Sequence, residues 1–261
     1  MNILDKIIAD KYREVSLRKQ LIPVKQLEQS VLFERKSPSL AQALRASESG
    51  IIAEHKRRSP SKSTINTNLN VQDVASGYQN AGACGMSVLT DAKYFGGSLD
   101  DVLLARASSS FPILRKEFIV DAYQILEAKA YGADVILLIA AVLSQSEIKT
   151  LSEFAKSLGL EVLLEVHNLG ELQKSIMPSL DMLGVNNRNL KTFEVSLDIS
   201  KTLSDEIPNE FVKVSESGIS SVDAIKELKP YGYKGFLVGE NFMKTDNPGA
   251  SAEAFIKQLI P

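Results

Sequence analysis

The stretch DVILLIAAVLSQSEIKTLSEFAKSLGLEVLLEV, residues 134–166, holds one full turn of the pattern that sets the fold. Residues 134–139 and 161–166 are short runs dominated by Val, Ile and Leu. Between them Ile148, Leu151, Phe154, Ala155 and Leu158 recur at the spacing of an amphipathic helix. Apolar strands separated by a helix belong to a parallel sheet covered on both faces. The same rhythm extends outward in both directions. Strand-like runs fall at 50–54, 86–89, 112–115, 182–185, 211–214 and 235–238, with helical faces such as Val71, Val74, Ala75 and Tyr78 between them. Ser144 with Glu147, and Asn168 with Glu171, are spaced as capping boxes. Gly132, Gly159 and Gly232 stand where a helix would end in a left-handed residue.

Eight such units, roughly 26 residues apiece, predict an α/β chain folded as a single (β/α)8 TIM barrel. An open doubly wound sheet would advertise a glycine-rich fingerprint after its first strand, and neither G-x-G-x-x-G nor a Walker A sequence occurs. The first residues follow another rule. Ile3, Ile7, Ile8 and Tyr12 recur at helical spacing, then Leu17, Leu21 and Val24 more loosely, with Pro23 as a break. One or two amphipathic helices are predicted there, covering part of the barrel mouth and its apolar face. The expected division is a helical extension at 1–48 and the barrel at 49–261.

Composition bounds the function. The chain has 261 residues, 44% apolar and 24% charged, which excludes collagenous and largely disordered classes. Thirty basic against thirty-two acidic residues leave a net charge of −2 and no broad basic field for nucleic acid. One cysteine, Cys84, excludes an internal disulfide, and two histidines, His55 and His167, are too few for a multi-histidine metal centre. The N-terminus lacks the pattern of a signal peptide, and the longest apolar run is too short to span a membrane. A cytoplasmic protein without membrane or nucleic-acid partners is expected.

In this fold the chemistry gathers where strands end. The first strand ends in Glu54-His55-Lys56, the third in Lys116-Glu117-Phe118, the fifth in Glu165, the sixth in Asn186-Asn187-Arg188, the seventh in Ser215-Glu216-Ser217-Gly218 and the eighth in Gly239-Glu240. Any one of these could be a solvated loop charge. Their gathering at one end argues for use, since a charged strand tip costs desolvation unless paired. Glu54 and Lys56, two apart, share a face, which suits either a site or a structural ion pair. Ser217, Gly218 and Gly239 follow the last two strands, where barrels hold phosphate, although glycines also simply make turns. Lys116 at an apolar strand end is either a charged acid and oxyanion clamp or a neutral imine-forming amine. His55 should point outward toward a helix, and His167 is a candidate for the mouth. Cys84 reads as a small buried apolar residue.

The blocks IIAEHKRRSPSK, SVLTDAKYFGGS, PILRKEFIV, GADVILLI, LLEVHN, LGVNNRNL, VSESGI and FLVGENFM, in that order, resemble the indole-3-glycerol-phosphate synthase family over residues 1–257. The resemblance implies a lyase of tryptophan biosynthesis. It closes the ring of 1-(2-carboxyphenylamino)-1-deoxyribulose 5-phosphate with loss of carbon dioxide and water, and uses neither cofactor nor metal. It implies that Lys116 is the general acid, that Glu165 serves dehydration, that Lys56 holds an anionic end of the substrate, and that Glu54 orients the lysines. Asn186 and Glu216 would hold ribulose hydroxyls and Arg188 the anthranilate carboxylate. Phe95, Phe118 and Leu137 would pack on the aromatic ring. Ser59, Ser217, Gly218, Gly239 and the backbone of Glu240 would hold the phosphate. A monomer acting on this small molecule is expected. Glu117, Asn189, His55 and Asn241 depart from the family's usual residues, and Asn189 bears on how Arg188 is held. Another phosphate-binding barrel, such as phosphoribosylanthranilate isomerase or a Schiff-base lyase, and a non-catalytic binding barrel are the alternatives.

Overall fold

The structure, a computed structural model, describes residues 3–189 and 192–260. The first two residues of the extension, the last residue of the LGVNNRNL block with its neighbour Lys191, and Pro261 lie outside the described residues. Eight parallel strands close into a barrel in chain order: β1 (Ile51–His55), β2 (Gly85–Leu89), β3 (Ile113–Lys116), β4 (Val135–Ile139), β5 (Glu161–Val166), β6 (Met182–Asn186), β7 (Val212–Glu216) and β8 (Gly235–Val238). β8 pairs back with β1.

Alternation along each strand makes two apolar layers. Ile52, Leu114, Leu137, Leu163, Met182, Val214 and Leu237 fill the barrel interior. Ile51, Met86, Ile113, Ile136, Leu164, Val185 and Phe236 pack outward under the helices. The strands run one or two residues further than their apolar runs at His55, Lys116, Asn186 and Glu216. Polar tips stay in the ladder, as in the pairs Leu89 with Lys116 and Asn186 with Glu216, because their side chains project into the mouth. The capping box of Ser144 and Glu147 forms. At Asn168 only half of one does: the side chain accepts from the Glu171 N–H, while Glu171 turns its carboxylate to His167 and to the Asn168 amide. Gly132, Gly159 and Gly232 are left-handed, as the sequence predicts.

Three helices, not one or two, precede the barrel: α1 (Ile3–Leu21), α2 (Val24–Glu28) and α3 (Leu40–Ala46). The buried stripe of α1 is Ile7, Lys11 and Val15, while Tyr12, Leu17 and Leu21 face solvent. Lys11 can occupy that stripe because its ammonium meets Glu14 at 2.8 Å, Asp91 at 3.0 Å and Glu117 at 3.1 Å. Val15 and Leu27 continue onto the helix Ala122–Ala130 through Tyr123, Leu126 and Ala130. The seven-residue α3 inserts Leu40 and Leu44, both fully buried, into the N-terminal end of the barrel. The extension thus covers one end of the barrel with α1 and plugs the other with α3.

Candidate active site

The mouth holds a cavity of about 400 Å³, within the range for small-molecule sites. All the residues singled out above as catalytic, substrate-binding or phosphate-binding line it, from Glu54 and Lys56 on the first unit to Gly239 and Glu240 on the last. Inward-facing positions of different strands are brought together here, which sequence separation alone would never suggest. Lys116 Nζ bonds a Glu216 oxygen and lies 3.6 Å from Glu165 Oε2. Lys56 Nζ donates to Glu54 Oε1 at 2.7 Å. The expected face-sharing of Glu54 and Lys56 is therefore present as an ion pair inside the cavity.

The charges are set by burial and by one another. Burial works against the ammonium of Lys116, but the carboxylates of Glu216, Glu165 and Glu54 outweigh it and hold its pKa above the ordinary lysine value. An amine held charged is a proton donor, and this environment opposes imine formation. Burial raises Glu216 to about 7, with Lys116 opposing and Glu165 and Glu54 reinforcing the shift. Burial also opposes charge on Glu54, yet Lys56 and Lys116 bring its pKa below the ordinary carboxylate value. Gly184 makes the crowding possible: a Cβ there would stand 2.5 Å from Glu216 Oε1.

An apolar wall faces these charges. Phe95 and Phe118 lie with ring centroids 5.9 Å apart and tilted by 41°, beside Leu137 and α1 residues Ile3, Leu4 and Ile7. Asp91 caps the short helix Ala92–Phe95, which carries Phe95 to the mouth. Opposite, the turn after β7 places Ser217 and Gly218 both at positive φ, a conformation a serine rarely adopts and one that the surroundings must enforce. Asn187 does much of this: it donates to Ser215 Oγ and the Ser217 carbonyl and accepts from Ser200. Its Asn-Asn-Arg setting marked a polar strand tip, but nothing in the sequence distinguished its supporting role from its neighbours'. The turn after β1 is tied by paired bonds between Ser59 and Lys62, and Lys62 reaches Glu240 at 2.8 Å. Arg188 donates to the Phe193 carbonyl, while the Asn189 side chain accepts from the Thr192 N–H and shapes the same loop.

A model of the indole-3-glycerol phosphate synthase family matches residues 4–259. The indole-3-glycerol phosphate synthase of Bacteroides thetaiotaomicron is 48% identical over 99% of this chain and 99% of its own. That of Polaromonas naphthalenivorans is 43% identical over 97% of this chain and 98% of its own. The chain belongs to the indole-3-glycerol phosphate synthase family. Solved structures share the fold at low identity. KGPDC from Streptococcus mutans has a TM-score of 0.58 at 16% identity, covering 72% of this chain and 92% of that one. A native KDPGal structure has a TM-score of 0.58 at 13% identity, covering 79% and 92%.

For this indole-3-glycerol phosphate synthase family member, the two histidines part ways. His55 points outward, as expected; burial and Arg57 lower its pKa to about 4, against Asp101 and Glu54. His167 stands behind the mouth, with Nε2 3.4 Å from Glu165 Oε1 and Nδ1 3.2 Å from Glu171 Oε2. Cys84 is buried, and burial raises its pKa. Sequence reasoning missed Lys244, which also lines the cavity. The expected cover over part of the mouth is supplied by α1, through Ile3, Leu4 and Ile7. Among the described residues no helix is long and apolar enough to cross a membrane.

Proposed function

We propose that this protein closes the indole ring of 1-(2-carboxyphenylamino)-1-deoxyribulose 5-phosphate, releasing carbon dioxide and water and yielding indole-3-glycerol phosphate. The observation that carries the reading is the ammonium of Lys116, kept charged by Glu216 and Glu165 beside an apolar wall in one cavity. Family membership over nearly the whole chain supports it.

The substrate has two anionic ends and an apolar middle. Phe95, Phe118 and Leu137 receive the aromatic ring, and Arg188 with Lys56 meets its carboxylate. Ser59, Ser217, Gly218, Gly239 and the backbone of Glu240 receive the phosphate. The ring carbon bearing the carboxylate attacks the ketone, and Lys116 donates a proton to the oxygen as it becomes a hydroxyl. Loss of carbon dioxide restores the aromatic ring. Glu165 then serves dehydration, while Glu54, Glu216 and Asn186 orient the lysines and the ribulose hydroxyls. Rearomatisation drives the decarboxylation, so the chemistry calls for no redox centre or electron sink. The reading takes the protein as a monomer acting in the cytoplasm.

Indole fluorescence on mixing the purified protein with the carboxyphenylamino sugar phosphate tests the reading. Product formation, undiminished by excess chelator, is expected. Absence of product overturns it, and borohydride trapping of a keto-phosphate on Lys116 would favour the Schiff-base alternative.

A further inference from the structure

Ring closure as proposed above does not balance in protons, and the inference drawn here rests on that reading. The substrate's carboxylate leaves as neutral carbon dioxide, while the ketone oxygen gains a proton. Dehydration is neutral, because hydroxide leaves with one proton as water and the ring-forming intermediate surrenders one. Each turnover therefore draws one proton from solvent, and that proton must reach Lys116. Lys116 and Glu165 lie at the base of the cavity, with side chains only 17% and 6% exposed, beneath the place the substrate must occupy. A supply that does not cross the substrate has to come through the protein.

One side chain stands on such a route. The two oxygens of Glu165 face opposite ways, Oε2 toward Lys116 at 3.6 Å and Oε1 toward His167 Nε2 at 3.4 Å. The His167 ring is 10% exposed, and its Nε2 is buried with no hydrogen-bond partner. Glu171 fixes the ring from the far side: its Oε2 accepts from the His167 backbone N–H at 2.8 Å and lies 3.2 Å from Nδ1. Glu171 sits on the short helix Leu169–Ser175, outside the barrel. We propose that His167 is a positioning residue acting through Glu165: its imidazolium gives the Nε2 proton to Glu165 Oε1, the carboxyl group then turns about its last bond, and the same proton passes to the neutral amine left on Lys116.

The transfer balances. One proton passes from Nε2 to Glu165, one from Glu165 to Lys116, and one from solvent to the neutral imidazole between turnovers. The charged groups facing His167 suit a proton store. Burial opposes the imidazolium, but Glu171, Glu165 and Glu216, from the helix, β5 and β7, outweigh it and raise the pKa above the ordinary histidine value. The nearest cation on this line, Lys116, stands behind Glu165.

The test uses the whole chain and the carboxyphenylamino sugar phosphate. His167→Gln should lower kcat by about tenfold with KM unchanged, since it removes the donor but not the substrate contacts. His167→Ala should regain rate as imidazole buffer is raised, while the wild type stays indifferent to buffer. Glu171→Gln, which leaves the ring in place but takes away a carboxylate that holds its charge, should show a smaller kcat loss that deepens as pH rises, and it stands in if the alanine variant does not fold. Wild-type kcat in all three variants, a loss in His167→Ala that imidazole never repairs, or a Glu171→Gln loss that does not change with pH overturns the proposal. A wild-type protein that makes no indole product instead overturns the ring-closing reading, and that failure is visible before any variant is made.

Discussion

At the N-terminal end of the barrel, Glu161 accepts from Ser39 Oγ and from the backbone N–H groups of Leu40 and Ala41 at 2.8 and 3.0 Å. Its carboxylate closes the first turn of α3, whose Leu40 and Leu44 fill the interior above it. At the C-terminal end, Glu216 shares Lys116 with Glu165, and its Oε1 is buried without a hydrogen-bond partner. Both ends hold glutamates close to apolar surface. One end satisfies its carboxylate with fixed donors, and the other crowds the carboxylates of Glu165 and Glu216 around the ammonium of Lys116. A group already satisfied by the backbone has no reason to exchange a proton. The crowded end has reason to, because every arrangement of its protons leaves some charge poorly placed.

The largest effect should come from breaking the crowded end at its centre. Lys116→Ala is expected to lower kcat by about 10²–10⁴-fold, the span of a lost general acid, in the indole fluorescence assay. Thermal unfolding should change little, because Glu216, whose pKa burial already raises to about 7, can keep its proton once the ammonium is gone. A large loss of stability in Lys116→Ala would mean that the lysine is structural cement and that the two ends do not differ in kind.

The opposite pattern is expected at the plugged end. Leu44→Ala should cost about 2–5 kcal/mol by denaturant titration, through lost burial and the cavity left behind, with kcat retained. Lys11 joins the comparison because it is a buried charge that serves packing. Lys11→Met leaves Asp91 and Glu117 without the cation they share, Glu117 keeping only Arg115 at 3.7 Å, and a stability loss of roughly 3 kcal/mol is expected. Glu117 also accepts from Thr90 and from the Phe118 backbone, so KM for the aromatic end of the substrate should rise more than kcat falls.

How much of this could be read from the sequence follows from the physics of each part. Strands buried on both faces, such as Val135–Ile139, announce themselves as apolar runs, so the eight units and their order were legible. Strand ends were less so, because the apolar runs stop at Arg115 and Val214 although Lys116 and Glu216 remain in the ladder. The cavity residues were legible for a related reason: strands carry polar residues into an apolar interior only at their tips. The family blocks then supplied the roles that spacing could not. Lys11 was not legible. A lysine in an apolar stripe reads as an interruption, and its partners Asp91 and Glu117 lie far along the chain. The plug α3 was also missed, since seven residues are too few to show a periodic face. Leu17 and Leu21 misled in the other direction, being 60% and 78% exposed on α1.

The smallest effect, and the one that reads the difference between the two ends most directly, is a slope of stability against pH. Glu216 has its pKa raised from 4.5 to about 7, chiefly by burial. The folded protein therefore keeps a proton on Glu216 up to about pH 7, while the unfolded chain releases it near 4.5. Between those values the native state binds more protons than the unfolded state, so this group's contribution is present at low pH and is lost as pH rises. Glu216→Gln should flatten that part of the stability curve, measured by urea titration at several pH values from 4.5 to 7. Lys116 stays charged across the window, so losing its partner adds an offset but no slope. His167 feels Glu216 as well; without that carboxylate its raised pKa relaxes, which flattens the curve in the same direction. Equal slopes in the two proteins would mean that Glu216 is ionised throughout. The mouth would then hold a settled ion pair in place of a site poised to move protons.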